Sequence, residues 1–249
     1  TIAIAGFGWW GSHILTRLQG HDSLRVVSVA EPNAALHADI RAMGAEAVDS
    51  YDSLLADPRV QAVVLTTPHM LHEDQVVAAA AAGKHVFCEK PLAMTVASAR
   101  RAVASGLIQH DTGKGLVRDR TLGWLTGDMV VAQMGFAAGN TAHFQAILNT
   151  PHYMRFAVFG SEGWAEARYA SHPDTPGGKI QWSLCRKGGA PQNEVLDWSD
   201  AVVANLTAFG RAAQGQGDYP WSDAELIGNI AVYEAIVRSS DSGETVRPG

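Results

Sequence analysis

Short, largely apolar blocks alternate with longer half-polar stretches through the first hundred positions. The blocks at 2–5, 24–30, 45–48, 60–66 and 85–88 are too short for buried helices and rich in Val and Ile. They predict five strands, and runs apolar on both sides suit a parallel sheet covered on both faces. Between them, 12–19 carries apolar residues at Ile14, Leu15 and Leu18, a helical spacing, and Gly20 follows as a stop. The segments 34–43 and 70–82 read as helices, 53–56 as a helical turn, and Thr95 is a good N-cap for another helix. Strands alternating with helices predict a doubly wound α/β sheet.

The period changes from Met129. The segments 129–137, 141–148, 153–159, 164–169, 179–185 and 194–198 read as strands, with a hairpin turn at Ala138-Gly139-Asn140. Consecutive hairpins predict an open, mostly antiparallel sheet. Its broad face, with Met129, Phe156 and Trp182 as contributors, needs burial against the first domain, the chain's own helices or another subunit, and a homo-oligomer (dimer or tetramer) is expected. An amphipathic helix follows over 200–213, and Ser222-Asp223-Ala224-Glu225 opens a last one. The expected division is a doubly wound domain over 1–104 and an α+β domain over 105–249, with the last helices free to pack back on the first domain.

Composition narrows the class. The chain has 249 residues, 47% hydrophobic and 18% charged, with a net charge of −6. That balance fits a globular protein with a sizeable core and lacks the basic footprint of nucleic-acid binding. No apolar run is long enough to span a bilayer, and no secretory signal is visible, so neither a membrane nor a nucleic acid is expected as partner. Cys88 and Cys185 lie far apart in no metal-ligand spacing. Free thiols in a reducing cytoplasm, with no metal, are the expectation.

Candidate chemistry gathers at the predicted C-terminal strand ends, where open α/β sheets bind ligands. Gly6-Phe7-Gly8-Trp9-Trp10-Gly11 has the spacing G-x-G-x-x-G between a strand and a helix. The first glycine of that pattern makes a tight turn, the second lets a pyrophosphate approach the backbone, and the third lets helix and strand pack closely. Glu31 stands 20 residues after Gly11, at the end of the second strand. A carboxylate there accepts hydrogen bonds from a ribose 2′-hydroxyl and repels a 2′-phosphate, which favours NAD, with NADP not excluded. Residues 66–72 and 89–91 fall at the ends of the fourth and fifth strands.

These motifs resemble the Gfo/Idh/MocA family, the glucose–fructose oxidoreductase and inositol dehydrogenase group. The resemblance rests on the glycine turn, on Thr67-Pro68-His69-Met70-Leu71-His72, on Gly83-Lys84-His85-Val86-Phe87-Cys88-Glu89-Lys90-Pro91-Leu92 and on Phe159-Gly160-Ser161-Glu162-Gly163. It implies a nicotinamide-dependent dehydrogenase acting on a sugar, cyclitol or similar polyol. It implies Lys90 as the catalytic residue beside nicotinamide and substrate hydroxyl, where an ammonium polarises a developing carbonyl. Glu89 would anchor the cofactor end of the site. Thr66, Thr67, Pro68, His69 and His72 would line the path from adenosine to nicotinamide, with Gly6, Phe7, Gly8, Trp9, Trp10, Gly11 and Glu31 completing the cofactor site.

The chain departs from the family pattern after Ala104. No sixth strand is evident, and Gly115 and Arg118 stand where the family carries a catalytic histidine and a second aspartate. Either loop residues are missing between Ala104 and Trp124, or this member lacks the acid/base histidine. His110 and Asp111 are weak substitutes for proton transfer. Asn205, His143 and His152 read as structural or solvated. An NAD(P)-binding regulator of the same fold, and an elimination or racemising enzyme using bound NAD transiently, are the alternatives.

Overall fold

The computed structural model describes residues 1–105, 129–147 and 150–249, together with the backbone of 108–110. Two compact units emerge, one formed by Thr1–Leu125 with Val202–Gly249, the other by Thr126–Ala201.

In the first unit a six-stranded parallel sheet has the order β3-β2-β1-β4-β5-β6. The strands are β1 (Ile2–Ala5), β2 (Val26–Ala30), β3 (Glu46–Val48), β4 (Ala62–Leu65), β5 (His85–Cys88) and β6 (Ile108–His110). The sixth strand corrects the sequence reading. It is only three residues long and pairs in parallel with Val86–Cys88 of β5, too brief to leave a periodic signal. The helices are α1 (Trp9–Arg17), α2 (His37–Ala42), α3 (Tyr51–Ala56), α4 (His72–Ala81) and α5 (Val96–Ala104). The chain returns from the second unit as α6 (Ala201–Ala213) and α7 (Asp223–Ser242).

Alternation along the strands builds two cores. Ala3, Ala5, Val63, Leu65, Val86 and Cys88 face one side, against residues of α3, α4, α5 and α7. Ile2, Ile4, Ala62, Val64 and Phe87 face the other, against α1, α2 and α6. Both cores therefore include late-sequence residues: Leu226 and Ile230 in the first, Leu206 and Phe209 in the second. Phe209 meets Phe87 edge to face with centroids 5.5 Å apart. Burying such a ring is worth about 2–3 kcal/mol. On the other side, Glu234 of α7 accepts the Val96 N–H at 2.8 Å and so caps α5.

The second unit has a four-stranded antiparallel sheet and a separate two-stranded one among the described residues. The larger runs β12 (Gln192–Asp197), β11 (Lys179–Arg186), β10 (Gly163–Tyr169), β9 (Met154–Gly160). Its register places Phe156, Val158, Tyr169, Ile180, Trp182, Leu184 and Leu196 on one face. Arg155, Glu166, Arg168, Gln181, Ser183 and Asn193 share the other face with Phe159, Trp164 and Val195; there Arg155 pairs with Glu166 and Ser183 donates to Asn193. Met129 is not part of the apolar face. It sits on β7 (Met129–Gly135), which pairs with β8 (Thr141–Ile147).

Candidate active site

Strand order reverses at β1, which is flanked by β2 and β4, and the loops after these strands open at the same sheet edge. This is the switch point where open α/β sheets bind ligands. The glycine turn, Glu31, Thr66–Thr67 and Glu89–Lys90 leave β1, β2, β4 and β5 in turn.

The three glycines of the turn answer to three different constraints. Gly6 has φ +92°, a conformation that suits glycine, and a Cβ on it would lie 3.1 Å from the Thr66 carbonyl oxygen. A Cβ on Gly11 would lie 2.1 Å from the Gly6 carbonyl oxygen and 2.8 Å from Thr66 Oγ1. At Gly8 a Cβ would meet nothing within 4 Å, and the backbone is extended at φ −69°. Neither crowding nor backbone conformation calls for glycine there. The free space lies at the N-cap of α1, which has no side-chain cap and no acidic residue in its first turn. A helix end of that kind favours a phosphate. The residues present therefore fit a dinucleotide pyrophosphate.

Glu31 is held as a fixed carboxylate. Its Oε2 accepts the Phe7 N–H at 3.0 Å, and its Oε1 accepts the Asn33 N–H at 2.9 Å. A carboxylate has about four acceptor positions, so two remain for ribose hydroxyls. Phe7 serves the site through this N–H, while its side chain is buried in the core beneath. His37 tethers the same corner, with Nε2 2.7 Å from the Glu31 carbonyl oxygen. Sequence reasoning missed His37; a lone histidine opening a helix carries no signal of a contact six residues back.

Thr66 acts as a strut. Its hydroxyl is 2.9 Å from both the Ala5 and Gly6 carbonyl oxygens and ties the end of β4 to the turn. The Thr67 hydroxyl binds the Gln75 side chain, and Pro68 is exposed at the head of a short 3₁₀ turn, His69–Leu71. His69 is half-buried, its ring edge-on to His72 at 5.5 Å.

His72 does not line a cofactor path. It is fully buried, with Nδ1 2.8 Å from the Pro91 carbonyl oxygen and Nε2 3.0 Å from that of Thr67. Packing of the first turn of α4 under both loops turns the ring inward. Burial pushes its pKa below the ordinary histidine value, against the opposing pull of the two carbonyls. Glu89 is also buried, at 4% exposure, whereas Lys90 beside it is half-buried and makes no ion pair among the described residues.

The two tryptophans differ. Trp9 is 66% exposed at the start of α1, stacked on Trp10 at 5.3 Å and against His13 at 4.6 Å. Trp10 is half-buried and packs on the second core. A hollow of about 650 Å³ beside Leu15, His21 and Arg25 lies at the opposite, N-terminal end of the strands. Residues 111–128, including Asp111, Gly115, Arg118 and Trp124, and the side chain of His110 lie outside the described residues.

Residues 1–106 match the family model described as the Gfo/Idh/MocA oxidoreductase family, NAD-binding Rossmann fold. This segment is therefore similar to the NAD-binding domain of that family. Its curated relatives include a 1,5-anhydro-D-fructose reductase of Ensifer adhaerens, 40% identical over 89 residues, covering 36% of this chain and 26% of that protein. An inositol 2-dehydrogenase of Pseudomonas fluorescens is 38% identical over 112 residues, covering 43% and 33%. A 2,7-anhydro-N-acetylneuraminate hydratase of Escherichia coli is 32% identical over 92 residues, covering 37% and 24%. The chain thus spans about a quarter to a third of the length of these relatives.

Likeness of fold extends beyond residues 1–106. An aldose–aldose oxidoreductase from Caulobacter crescentus, solved with glycerol, superposes with TM-score 0.79 at 20% identity, covering 99% of this chain and 98% of that one. A 3-ketoreductase from Actinomadura kijaniata, solved with NADP and TDP-benzene, gives TM-score 0.77 at 16% identity, covering 94% and 95%. At such identities these matches speak for the fold alone. Among the described residues, no helix is long and apolar enough to cross a membrane, and no group of His, Cys, Asp and Glu is arranged to hold a metal.

Proposed function

We propose that this chain is an oxidoreductase that moves a hydride between NAD and a hydroxyl-bearing carbon of a sugar, cyclitol or similar small polyol. The observation that carries the reading is the open cradle at Gly8, next to a carboxylate fixed by two backbone N–H groups. The amides at the start of α1 would hold the pyrophosphate, and Glu31 would accept the adenosine ribose hydroxyls. A 2′-phosphate would meet the Glu31 charge, which is why NAD is preferred to NADP. The nicotinamide, when bound, supplies the hydride acceptor. Lys90, next-but-one along the sheet from the glycine turn, would polarise the substrate oxygen and orient the alcohol. The hydroxyl proton must leave as the carbonyl forms, and the segment that the family resemblance would assign to that step, 111–119, lies outside the described residues.

The apolar face of the four-stranded sheet supports a second part of the reading. Phe156 is 60% exposed and Val158 55% in the single chain, a contiguous patch of the kind that marks an interface. A second copy of this chain is its proposed cover, as a dimer or higher homo-oligomer.

The test is to incubate the protein with NAD and a panel of polyols and follow absorbance of reduced nicotinamide. Reduction by wild type, lost on the order of 10²-fold in Lys90→Ala with NAD affinity retained, is the expected result. Binding of NAD without turnover on any polyol would refute the dehydrogenase reading. The hydratase among the relatives favours one other reading, an elimination in which the cofactor stays bound and is regenerated. Nicotinamide that co-purifies with the protein and shows no net reduction during turnover would point to it.

A further inference from the structure

The contacts of His72 join two loops with different tasks in the proposed site. One leaves β4 and carries Thr67 and Pro68; the other leaves β5 and carries Glu89, Lys90 and Pro91. His72 is hydrogen-bonded to both, through the Thr67 and Pro91 carbonyl oxygens. Both partners are acceptors. A neutral imidazole has one N–H, so it satisfies one carbonyl and turns a lone pair toward the other. An imidazolium donates to both. At 2.8 and 3.0 Å both contacts are direct, and the ring is fully buried.

We propose that His72 is a positioning residue whose proton sets how tightly the Thr67–Pro68 loop is drawn to the Lys90–Pro91 loop, and so couples cofactor affinity to pH. With the single proton of the neutral ring on Nδ1, the nitrogen with the shorter contact, the ring donates to Pro91. The contact with Thr67 is then the weak one, and protonation of Nε2 converts it into a charge-assisted hydrogen bond. The added positive charge lies beneath a site proposed for an anionic dinucleotide, so both effects tighten binding as pH falls.

The ionisable groups on the surrounding elements are His69, Glu73 and Asp74 on its own segment, Cys88, Glu89 and Lys90 along the second loop, and Arg101 on α5. Glu73 is engaged by Arg101. None of them adds a charge interaction to the His72 shift, which comes from burial and the two carbonyls. Burial holds the ring's titration below the ordinary histidine value, so the proton is gained only on acidification.

The inference rests on the proposed nucleotide site, and its test separates the two. In the full chain with ¹⁵N-labelled histidine, the His72 ring shifts report tautomer and protonation. The amides of Thr67 and Leu92 should move with the same midpoint, and this arm needs no cofactor. In parallel, NAD affinity is measured by calorimetry from pH 8 to pH 5 for wild type and His72→Gln, which keeps a donor but cannot gain a proton. Wild type should gain about fivefold in affinity relative to the variant across that range, the lower end of ordinary coupling between sites. Identical pH profiles for both proteins would overturn the proposal, as would loop amides that stay still while His72 titrates, or a ring that stays neutral to pH 5. If His72→Gln does not fold, the amide arm decides alone. Absence of NAD binding at every pH would instead refute the nucleotide reading and leave the brace to be judged by the amides.

Discussion

Substituting alanine at Gly8 and at Gly11 should give opposite phenotypes although the two residues are one helical turn apart. At Gly11 the new Cβ would sit 2.1 Å from the Gly6 carbonyl oxygen, which is backbone and cannot swing aside. To reach an ordinary contact, α1 would have to withdraw from the turn by roughly an ångström, loosening Ile14 and Leu15 in the core. Overpacking of that kind costs about 1–3 kcal/mol, and a backbone obstacle puts Gly11→Ala at the upper end. For a unit of this size that lowers Tm by about 6–12 °C. At Gly8 the Cβ enters free space on a backbone that any L-residue adopts. Gly8→Ala should shift Tm by less than about 2 °C, since loss of unfolded-state freedom offsets a poorer N-cap. Its Cβ would occupy the volume assigned to the pyrophosphate, and NAD affinity should fall at least about tenfold, or 1.4 kcal/mol. Thermal unfolding and NAD calorimetry on both variants suffice. Wild-type NAD affinity in Gly8→Ala would remove the cradle from the reasoning, and an unchanged Tm in Gly11→Ala would remove the helix–turn contact.

Four further outcomes follow from the geometry. Glu31→Ala should weaken NAD about tenfold or more, the scale of lost hydrogen bonds to a charge, and bring the NAD-to-NADP preference toward one in competition binding. Thr66→Val keeps the shape but strips the donor shared by the Ala5 and Gly6 carbonyls, so urea unfolding should show a loss of about 1–2 kcal/mol. The pKa of His72 is lowered in the folded state, so its neutral ring favours folding above about pH 6.5. That contribution fades as pH drops through the folded-state value, and His72→Gln should flatten this part of a urea-midpoint profile. Phe156→Glu places a charge on the apolar sheet face and should convert an oligomer to monomers in light scattering, with NAD binding unaffected.

What could be read from the chain was local. The strand at His85–Cys88 and the N-cap at Thr95 fall where the pattern puts them, because apolar runs and capping residues act within a few positions. The glycine turn and Glu31 were legible for the same reason: their spacing is fixed by one strand–helix–strand unit. Contacts across sequence were not. Thr67 reaches Gln75, His37 reaches back to Glu31, and His72 spans to Pro91, and no periodicity encodes such pairs. The motif therefore groups His72 with residues expected to line a cofactor path, whereas its ring is buried against the Thr67 and Pro91 carbonyls. An amphipathic stripe likewise shows that α6 has a face to bury but not that Leu206 and Phe209 complete the core of the first unit. Met129 and Phe156 look equivalent as apolar strand residues, and only pairing separates their sheets.

The return of Val202–Gly249 to the first unit has a consequence for how the chain is made. Synthesis at roughly 5–20 residues per second leaves a gap of roughly 110 residues, on the order of 5–20 s, between emergence of β5 and the start of α6. Throughout that interval Phe87 and the Ile2–Ile4 face wait for Phe209, while the strands of the second unit find their hairpin partners next in sequence and need nothing later. The inserted unit is thus able to mature on the ribosome ahead of the unit that hosts it. Damage to α6, for instance at Leu206, would show first as lost yield of newly made protein, with the molecules that do fold keeping their affinity for the nucleotide.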